Sequence, residues 1–213
     1  YSKAYTQAFI EHLHLSEINS NWHEYRYSTD SGFATEIFEK HVCRAAQDEE
    51  IQKIKQRFFA LLKEKIENDP GCCQPIPGAR TIFSTIRQLE NWDIAIATGC
   101  WLDSALIKLT HANINHTGIP LACADDDIER HEIINIALKR AQKHYQQSDY
   151  NTVSYVGDRL WDLNASQKLG IQFIGIGTEF SQEKFNTIPT VPDYRSNQFI
   201  NHLKQLSTIL YDN

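Results

Sequence analysis

Two aspartates near the middle of the C-terminal half have the types and spacing that chemistry needs. The run 153–156 predicts a buried strand that ends at Gly157. Asp158 and Asp162 follow it four positions apart, so on a first helical turn their carboxylates share one side. Carboxylates at the carboxyl end of a strand suit a hard cation such as Mg²⁺. The alternative is that Asp158 only caps the helix and Asp162 is solvated.

A second candidate site is the pair Thr98 and Gly99, which closes an apolar run at 93–97 and precedes a helix. The Thr98 hydroxyl, the Gly99 N–H and the N-terminus of that helix together suit a phosphate oxygen. A Thr-Gly pair is also a common strand-to-helix turn, so the pair alone leaves both interpretations open.

A third candidate is Arg130, which opens the predicted helix ahead of the strand at 152–156. A guanidinium near the edge of the sheet could neutralise a phosphate beside a metal ion. The alternative is a surface arginine that pairs with Glu129 or Asp127.

Composition and motifs exclude several other classes of function. A net charge of −6 without a run of Lys or Arg argues against nucleic-acid partners. No apolar stretch approaches the roughly 20 residues that cross a bilayer, so no membrane partner is expected. The five scattered cysteines favour a reduced, cytoplasmic compartment. The sequence contains neither a G-x-S-x-G elbow, nor a G-x-x-x-x-G-K-[ST] loop, nor an H-E-x-x-H pair. It gives no prediction of oligomeric state.

The elements that must position these residues fall into two parts. Residues up to about 72 predict an all-helical unit, whereas strands alternate with helices after residue 75, which predicts an α/β fold with a parallel sheet. Predicted helices cover 3–18, 30–42, 51–66, 79–89, 105–112, 130–145, 160–169 and 196–211, and predicted strands cover 93–97, 118–123, 152–156 and 171–176.

The joint order of these motifs resembles the haloacid dehalogenase-like (HAD) superfamily of phosphohydrolases. The resemblance rests on the segment 94–99, a cation at Arg130, and the segment 155–162 with its Gly-Asp-x-x-x-Asp pattern. It implies a Rossmann-like parallel-sheet core with an inserted all-helical cap. Residues 1–10 would begin the core, 11–74 would form the cap, and 75–213 would form the α/β core domain.

The resemblance also implies roles for the candidate residues. Thr98 and the Gly99 backbone would hold the phosphoryl group of a small phosphorylated substrate, and Thr98 and Arg130 would be catalytic. Arg130 stands where the family usually has Lys. Asp158 would bind Mg²⁺, and Asp162 would support the metal directly or through water.

Two further expectations come from the resemblance by position. Tyr27, Thr29 and Asp30 in the cap would face the site and help to select the substrate. The family's nucleophile is the first aspartate of a D-x-D motif on the first strand of the core. None of the strands predicted in residues 1–213 carries this motif. Because residues 1–9 look like the helix that should follow that strand, the motif is expected upstream of Tyr1.

The resemblance therefore predicts a Mg²⁺-dependent phosphatase that acts on a small phosphorylated metabolite through an aspartyl-phosphate. Two alternatives remain open. One is a metal-independent haloacid dehalogenase on the same scaffold. The other is a non-catalytic ligand-binding protein that lacks the nucleophile.

Overall fold

The computed structural model describes residues 1–181, 185–195 and 197–208, and these residues divide into two compact units. Unit 1 comprises Tyr1–Gln74, Thr98–Asn113 and Cys123–Glu129. Unit 2 comprises Pro75–Ala97, Ile114–Ala122 and the described residues from Arg130 onward. Residues 1–10 thus group with 11–74, together with the segments Thr98–Asn113 and Cys123–Glu129. The predicted boundaries of core and cap stay a prediction.

Helices and strands alternate in the described chain after α4. The helices are α1 (Ser2–Leu13), α2 (Asp30–His41), α3 (Asp48–Asn68), α4 (Ala79–Arg87), α5 (Leu102–His111), α6 (Arg130–Tyr145), α7 (Leu160–Leu169) and α8 (Asn197–Thr208). The strands are β1 (Ile96–Ala97), β2 (Leu121–Ala122), β3 (Ser154–Gly157), β4 (Gln172–Ile176) and β5 (Thr190–Val191). Single 3₁₀ turns lie at Trp22–Glu24, Pro70–Cys73 and Glu179–Ser181.

Unit 1 is helical and is held together by an aromatic core. The Thr29 side chain caps α2 by accepting a hydrogen bond from the Gly32 N–H at 3.1 Å. Helix α1 packs against α3 in this unit. The core between them is built on large side chains that are almost completely buried: Tyr5, Phe9, Phe38, Phe58 and Trp101. Burial of these large apolar side chains stabilises the unit.

Unit 2 contains two parallel sheets. Strand β1 pairs with β2, and Ile96 lies opposite Leu121. Strands β3, β4 and β5 form the second sheet in that order, with Val156 opposite Ile174. Apolar side chains from α4, β4, β5 and α8 pack into one cluster: Ile82, Ile174, Ile176, Val191, Phe199, Leu203 and Leu206. Parallel strands joined by helices need both faces of the sheet covered, which explains the nearly continuous apolar strands.

The predicted α/β fold with parallel pairing is confirmed. Strand β5 was not predicted, since two residues give no readable alternation. Of the predicted C-terminal helix 196–211, residues 196 and 209–211 lie outside the described part of the chain. In the described part, no helix combines the length and the apolar character that a membrane crossing requires.

Candidate functional site

Asp158 directly follows β3 in unit 2 and presents a carboxylate to solvent. Its side chain is 54% exposed, and its Oδ2 lies 3.4 Å from Nε of Arg159. The same guanidinium donates from Nη1 to Glu179 at 3.0 Å, so Asp158 shares its cation with a second carboxylate. An exposed ion pair of this kind contributes little to stability. Asp158 therefore keeps carboxylate oxygens available to a ligand.

Asp162 is buried four residues later and is surrounded by donors. Its Oδ1 accepts hydrogen bonds from Nη1 of Arg130 at 3.0 Å and from the Tyr155 hydroxyl at 3.1 Å. Its Oδ2 accepts from the backbone N–H of Arg159 at 3.1 Å, which closes the first turn of α7. Only 5% of the Asp162 side chain is exposed. The alternative interpretation held that Asp162 is solvated. The structure instead buries this second aspartate of the motif.

The ionisation of this cluster is set mainly by burial. Burial raises the pKa of Asp162 above its ordinary value, while the positive charge of Arg130 acts in the opposite direction. Burial also raises the pKa of Tyr155, and the nearby charge of Asp162 adds to that increase. Tyr155 therefore remains a neutral hydroxyl that donates to the carboxylate at neutral pH.

Gly157 is needed because Asp162 lies against it. A Cβ at position 157 would come within 2.4 Å of the Asp162 Cβ and 2.6 Å of its Cγ. No side chain fits at that distance without displacing Asp162. The Gly-Asp-x-x-x-Asp spacing thus has a packing reason: the glycine makes room for the second aspartate.

Arg130 begins α6 and is held in place by unit 2. Besides its bond to Asp162, its guanidinium carbon lies 5.8 Å from the centre of the Trp161 ring. Only 14% of the side chain is exposed. A largely buried guanidinium fixed by a carboxylate and an aromatic ring is a preorganised positive charge.

The two aspartates differ in how well they fit Mg²⁺. Asp158 offers accessible oxygen donors of the kind that Mg²⁺ prefers. Asp162 already accepts three hydrogen bonds, so it suits a supporting role better than that of a direct ligand. In the described part of the chain, no group of three or more His, Cys, Asp or Glu side chains is arranged to hold a metal ion. Of the two aspartates, Asp158 is therefore the better candidate for a direct ligand of the predicted Mg²⁺.

Thr98 and Gly99 belong to unit 1, where they form the turn that precedes α5. The Thr98 Oγ accepts from the Cys100 N–H at 3.2 Å, and the Gly99 carbonyl accepts from the Asp30 N–H at 2.7 Å. Among the described residues, the Thr98 hydroxyl proton and the Gly99 N–H find no protein acceptor. These two donors remain available to a ligand.

Two N–H groups at the N-terminus of α5 have acceptors within the protein. The Trp101 N–H donates to Asp30 Oδ2 at 2.8 Å, and the Leu102 N–H donates to Asp125 Oδ2 at 2.7 Å. Two carboxylates of the protein thus take the positions that were predicted for a phosphate oxygen. These two N–H groups are therefore engaged within the protein. The role of Thr98, Gly99 and this helix N-terminus in phosphate binding stays a prediction.

Thr29 and Asp30 are buried, and their polar atoms have partners inside unit 1. The Thr29 hydroxyl donates to the Ile128 carbonyl at 2.7 Å, and Asp30 Oδ2 also accepts from the Tyr1 hydroxyl. Tyr27 is partly exposed, and its ring lies 5.2 Å from the guanidinium of Arg26. The role of Tyr27, Thr29 and Asp30 in selecting a substrate stays a prediction. The contacts of Thr29 and Asp30 are those of residues that position a turn.

Several residues of these clusters were not singled out from the sequence. Tyr155 was read only as part of a buried strand, although its hydroxyl donates to Asp162. Trp101 and Asp125 act through contacts with Asp30 and the start of α5, far apart in sequence. The run of three aspartates at 125–127 was the local feature of the sequence that could have drawn attention to Asp125.

Comparisons with known proteins agree with this architecture. A family model described as haloacid dehalogenase-like hydrolase matches residues 5–176. Among solved structures, the chain is similar to a hydrolase from Pseudomonas syringae, with a TM-score of 0.66 and 16% sequence identity over 96% of this chain and 92% of that one. At this identity the likeness concerns the fold alone. The comparison with curated proteins gave no match. Because the family match extends over most of the sequence, the chain belongs to the haloacid dehalogenase-like hydrolases.

Proposed function

We propose that the chain is a Mg²⁺-dependent phosphohydrolase that acts on a small phosphorylated metabolite through an aspartyl-phosphate. The observation that carries the proposal is the arrangement of unit 2 around Asp162. There, the buried carboxylate of Asp162 accepts from the guanidinium of Arg130 and from the Tyr155 hydroxyl, while the exposed Asp158 follows β3 directly.

Arg130 is the group we assign to the charge of the phosphoryl oxygens. Its burial reduces screening by solvent, so its attraction for an anion exceeds that of a surface arginine. Its bond to Asp162 restricts the side chain before a substrate arrives, which lowers the entropy lost on binding. Where the family usually has Lys, the planar guanidinium can donate two parallel hydrogen bonds to one phosphoryl group.

Asp158 is the residue we assign to the metal ion. It would hold Mg²⁺ through its accessible carboxylate, with Asp162 as support. Bound Mg²⁺ would offset the repulsion between an anionic substrate and the carboxylates around it. Without the metal, the exposed negative charge of Asp158 would disfavour a phosphate.

Thr98 and Gly99 would donate to phosphoryl oxygens through the hydroxyl proton and the N–H that have no protein acceptor in the described residues. The nucleophile would be the D-x-D aspartate expected upstream of Tyr1. Its carboxylate would attack phosphorus and displace the alcohol oxygen of the ester. Water would then hydrolyse the acyl phosphate and release inorganic phosphate.

The five cysteines are all free thiols, and we propose a cytoplasmic location on that ground. The dehalogenase and the binding protein remain the alternatives. A metal-free dehalogenase has less use for two close carboxylates such as Asp158 and Asp162, which favours the phosphatase.

One experiment separates the three functions. The protein, purified from its complete reading frame, is assayed with p-nitrophenyl phosphate and a panel of sugar and nucleotide monophosphates, and separately with 2-chloropropionate. Each assay is run with Mg²⁺ and with EDTA. Phosphate release that requires Mg²⁺ supports the proposal. Chloride release that is insensitive to EDTA supports the dehalogenase, and no turnover in any assay supports the binding protein.

A further inference from the structure

Two consecutive cysteines in unit 1 lie outside the candidate site and have no role in the proposed function. Cys72 and Cys73 end the 3₁₀ turn Pro70–Cys73, and the Cys72 Sγ donates to the Cys73 Sγ across 3.7 Å. The other three cysteine thiols make no contact with another sulfur atom within the described residues. Among those residues, the pair is therefore the place where a ligand meets two thiols at once.

The 3₁₀ turn is what brings the two thiols together. Consecutive side chains point to opposite faces in a strand and do not face each other on an α-helix. Here Pro70 opens the turn, and the Cys72 N–H donates to the Asp69 carbonyl at 3.0 Å. The Pro70 carbonyl lies 3.0 Å from Nε2 of His111 on α5, which ties the turn to that helix. The separation of the two sulfur atoms is thus set by the fold of unit 1.

Both cysteines are half-buried, which combines access with restraint. Each packs against the aromatic core of unit 1, and each keeps part of its surface exposed. A small ligand can therefore reach the thiols from solvent. Packing also restricts the two side chains before a ligand arrives, which lowers the entropy lost when both sulfur atoms bind.

The separation of 3.7 Å fits a ligand atom between the two sulfur atoms better than a bond between them. A disulfide needs an S–S length of about 2.05 Å, and its Cα atoms usually lie about 4.4–6.8 Å apart. Consecutive Cα atoms are only about 3.8 Å apart across a trans peptide. By contrast, two thiolates on one tetrahedral Zn²⁺, each at about 2.3 Å from the metal, lie about 3.8 Å apart. The two sulfur atoms thus have the spacing of two ligands on one central atom.

The number of thiols and their protonation indicate which central atom fits. A structural Zn²⁺ takes four protein ligands, but no group of three or more His, Cys, Asp or Glu side chains in the described residues is arranged to hold a metal ion. Burial raises the pKa of Cys73, and the neighbouring Cys72 adds to that increase, so the Cys73 thiol is neutral at neutral pH. A neutral thiol reacts slowly with peroxides. The ligand that fits is therefore one that is satisfied by two sulfur atoms and that takes up the thiol protons.

A trivalent arsenical of the form R–As=O meets both requirements. We propose that Cys72 and Cys73 form a dithiol binding site for such an arsenical. Each sulfur atom forms a bond to arsenic, the bond between arsenic and oxygen breaks, and the two thiol protons leave with the oxygen as water. Arsenic stays trivalent, so the step needs neither an oxidant nor a reductant. The proposal rests on the two thiols and does not depend on the proposed phosphatase chemistry.

Binding of phenylarsine oxide to the protein purified from its complete reading frame tests this proposal. Intact mass counts the bound phenylarsenic groups, and alkylation with iodoacetamide followed by peptide mapping identifies the protected cysteines. We expect Cys72 and Cys73 to be protected together, whereas the exposed Cys43 is alkylated. Glutathione, which has one thiol, should not remove the group. The dithiol 2,3-dimercaptopropanol should remove it, because its first bond to arsenic raises the effective concentration of its second thiol.

Single substitutions distinguish a site of two thiols from a reaction at one. We expect Cys72→Ser and Cys73→Ser each to raise the Kd for phenylarsine oxide at least about 100-fold, because one sulfur atom remains. Cys43→Ser is the matched control and should leave the Kd unchanged. The proposal is overturned if either variant binds as tightly as wild type, or if Cys72 and Cys73 in the wild type stay open to iodoacetamide. A Cys72–Cys73 disulfide in place of the adduct would also overturn it. Because protection is measured on the wild-type protein, that result holds even where a variant fails to fold.

Discussion

Nη1 of Arg130 and Oδ1 of Asp162 lie 3.0 Å apart, and neither side chain is more than 14% exposed. The pair connects the first residue of α6 with the first turn of α7 within unit 2. Tyr155 on β3 donates to the same oxygen, so one carboxylate joins two helices and a strand. This contact gives the second aspartate of the motif a structural task that is separate from metal binding.

Removing the Tyr155 hydroxyl should weaken this contact without breaking it. We expect Tyr155→Phe to lower the free energy of unfolding by about 1 kcal/mol, because one buried hydrogen bond to Asp162 is lost. Urea denaturation followed by circular dichroism measures the change. Tyr27→Phe is the control, since the Tyr27 hydroxyl has no partner among the described residues, and it should change stability by less than about 0.5 kcal/mol. Equal effects of the two substitutions would contradict a role for Tyr155.

The pH dependence of stability should show the raised pKa of Asp162. Since burial raises that pKa, the folded state holds the proton more tightly than the unfolded state, whose aspartate titrates near about 3.9. The contribution of Asp162 to the free energy of unfolding is therefore complete at a pH below the unfolded-state pKa. It declines as the pH rises through the folded-state pKa. We expect Asp162→Asn to remove this decline in urea titrations between pH 4 and pH 7. If the variant instead removes a rise in stability over this range, the charge of Arg130 outweighs burial.

Gly157 should tolerate no side chain. We expect Gly157→Ala to lower the free energy of unfolding by about 2–3 kcal/mol, because the new methyl group would displace Asp162. Gly170→Ala is a matched control: Gly170 has a positive φ of 66°, and nothing lies within 4 Å of its Cβ position. Its cost is backbone strain alone, about 1 kcal/mol. A smaller loss for Gly157→Ala than for Gly170→Ala would contradict the packing argument.

Asp30 should stabilise the turn that carries Thr98 and Gly99. We expect Asp30→Ala to lower the free energy of unfolding by about 2 kcal/mol, because it leaves the buried Trp101 N–H without an acceptor. Tryptophan fluorescence during urea denaturation measures the loss. Asp103→Ala, which removes an exposed carboxylate from the same helix turn, should cost less than about 0.5 kcal/mol. A loss no larger than that control would show that Asp30 does not hold the turn.

Local signals in the sequence predicted most elements of the fold. The helices predicted over 30–42 and 130–145 appear as α2, which ends one residue earlier, and as α6. The apolar run at 152–156 appears as β3, shifted by one or two residues at its ends. Strand β5 was missed because Thr190 and Val191 are too few to show a period, and their strand character comes only from pairing with β4.

Contacts between distant residues explain what the sequence could not predict at the candidate site. Asp30 lies 71 positions from Trp101, and no local pattern indicates that its carboxylate would occupy the start of α5. Arg130 and Asp162 were each identified, but their pairing across 32 positions was not, because spacing along the chain does not determine which side chains meet. The two carboxylates that engage the start of α5 come from distant residues for the same reason.

The measurement that tests the central claim most directly is Mg²⁺-dependent phosphate release by the protein from its complete reading frame and by its Asp158→Asn variant. Asp149→Asn is the control, since Asp149 is an exposed loop residue whose carboxylate accepts from the N–H of Tyr150. We predict that wild type and the control release phosphate at equal rates with Mg²⁺ and that Asp158→Asn loses at least about 100-fold. Near-normal, Mg²⁺-dependent turnover by Asp158→Asn would contradict the assignment of Asp158 to the metal and, with it, the proposed site.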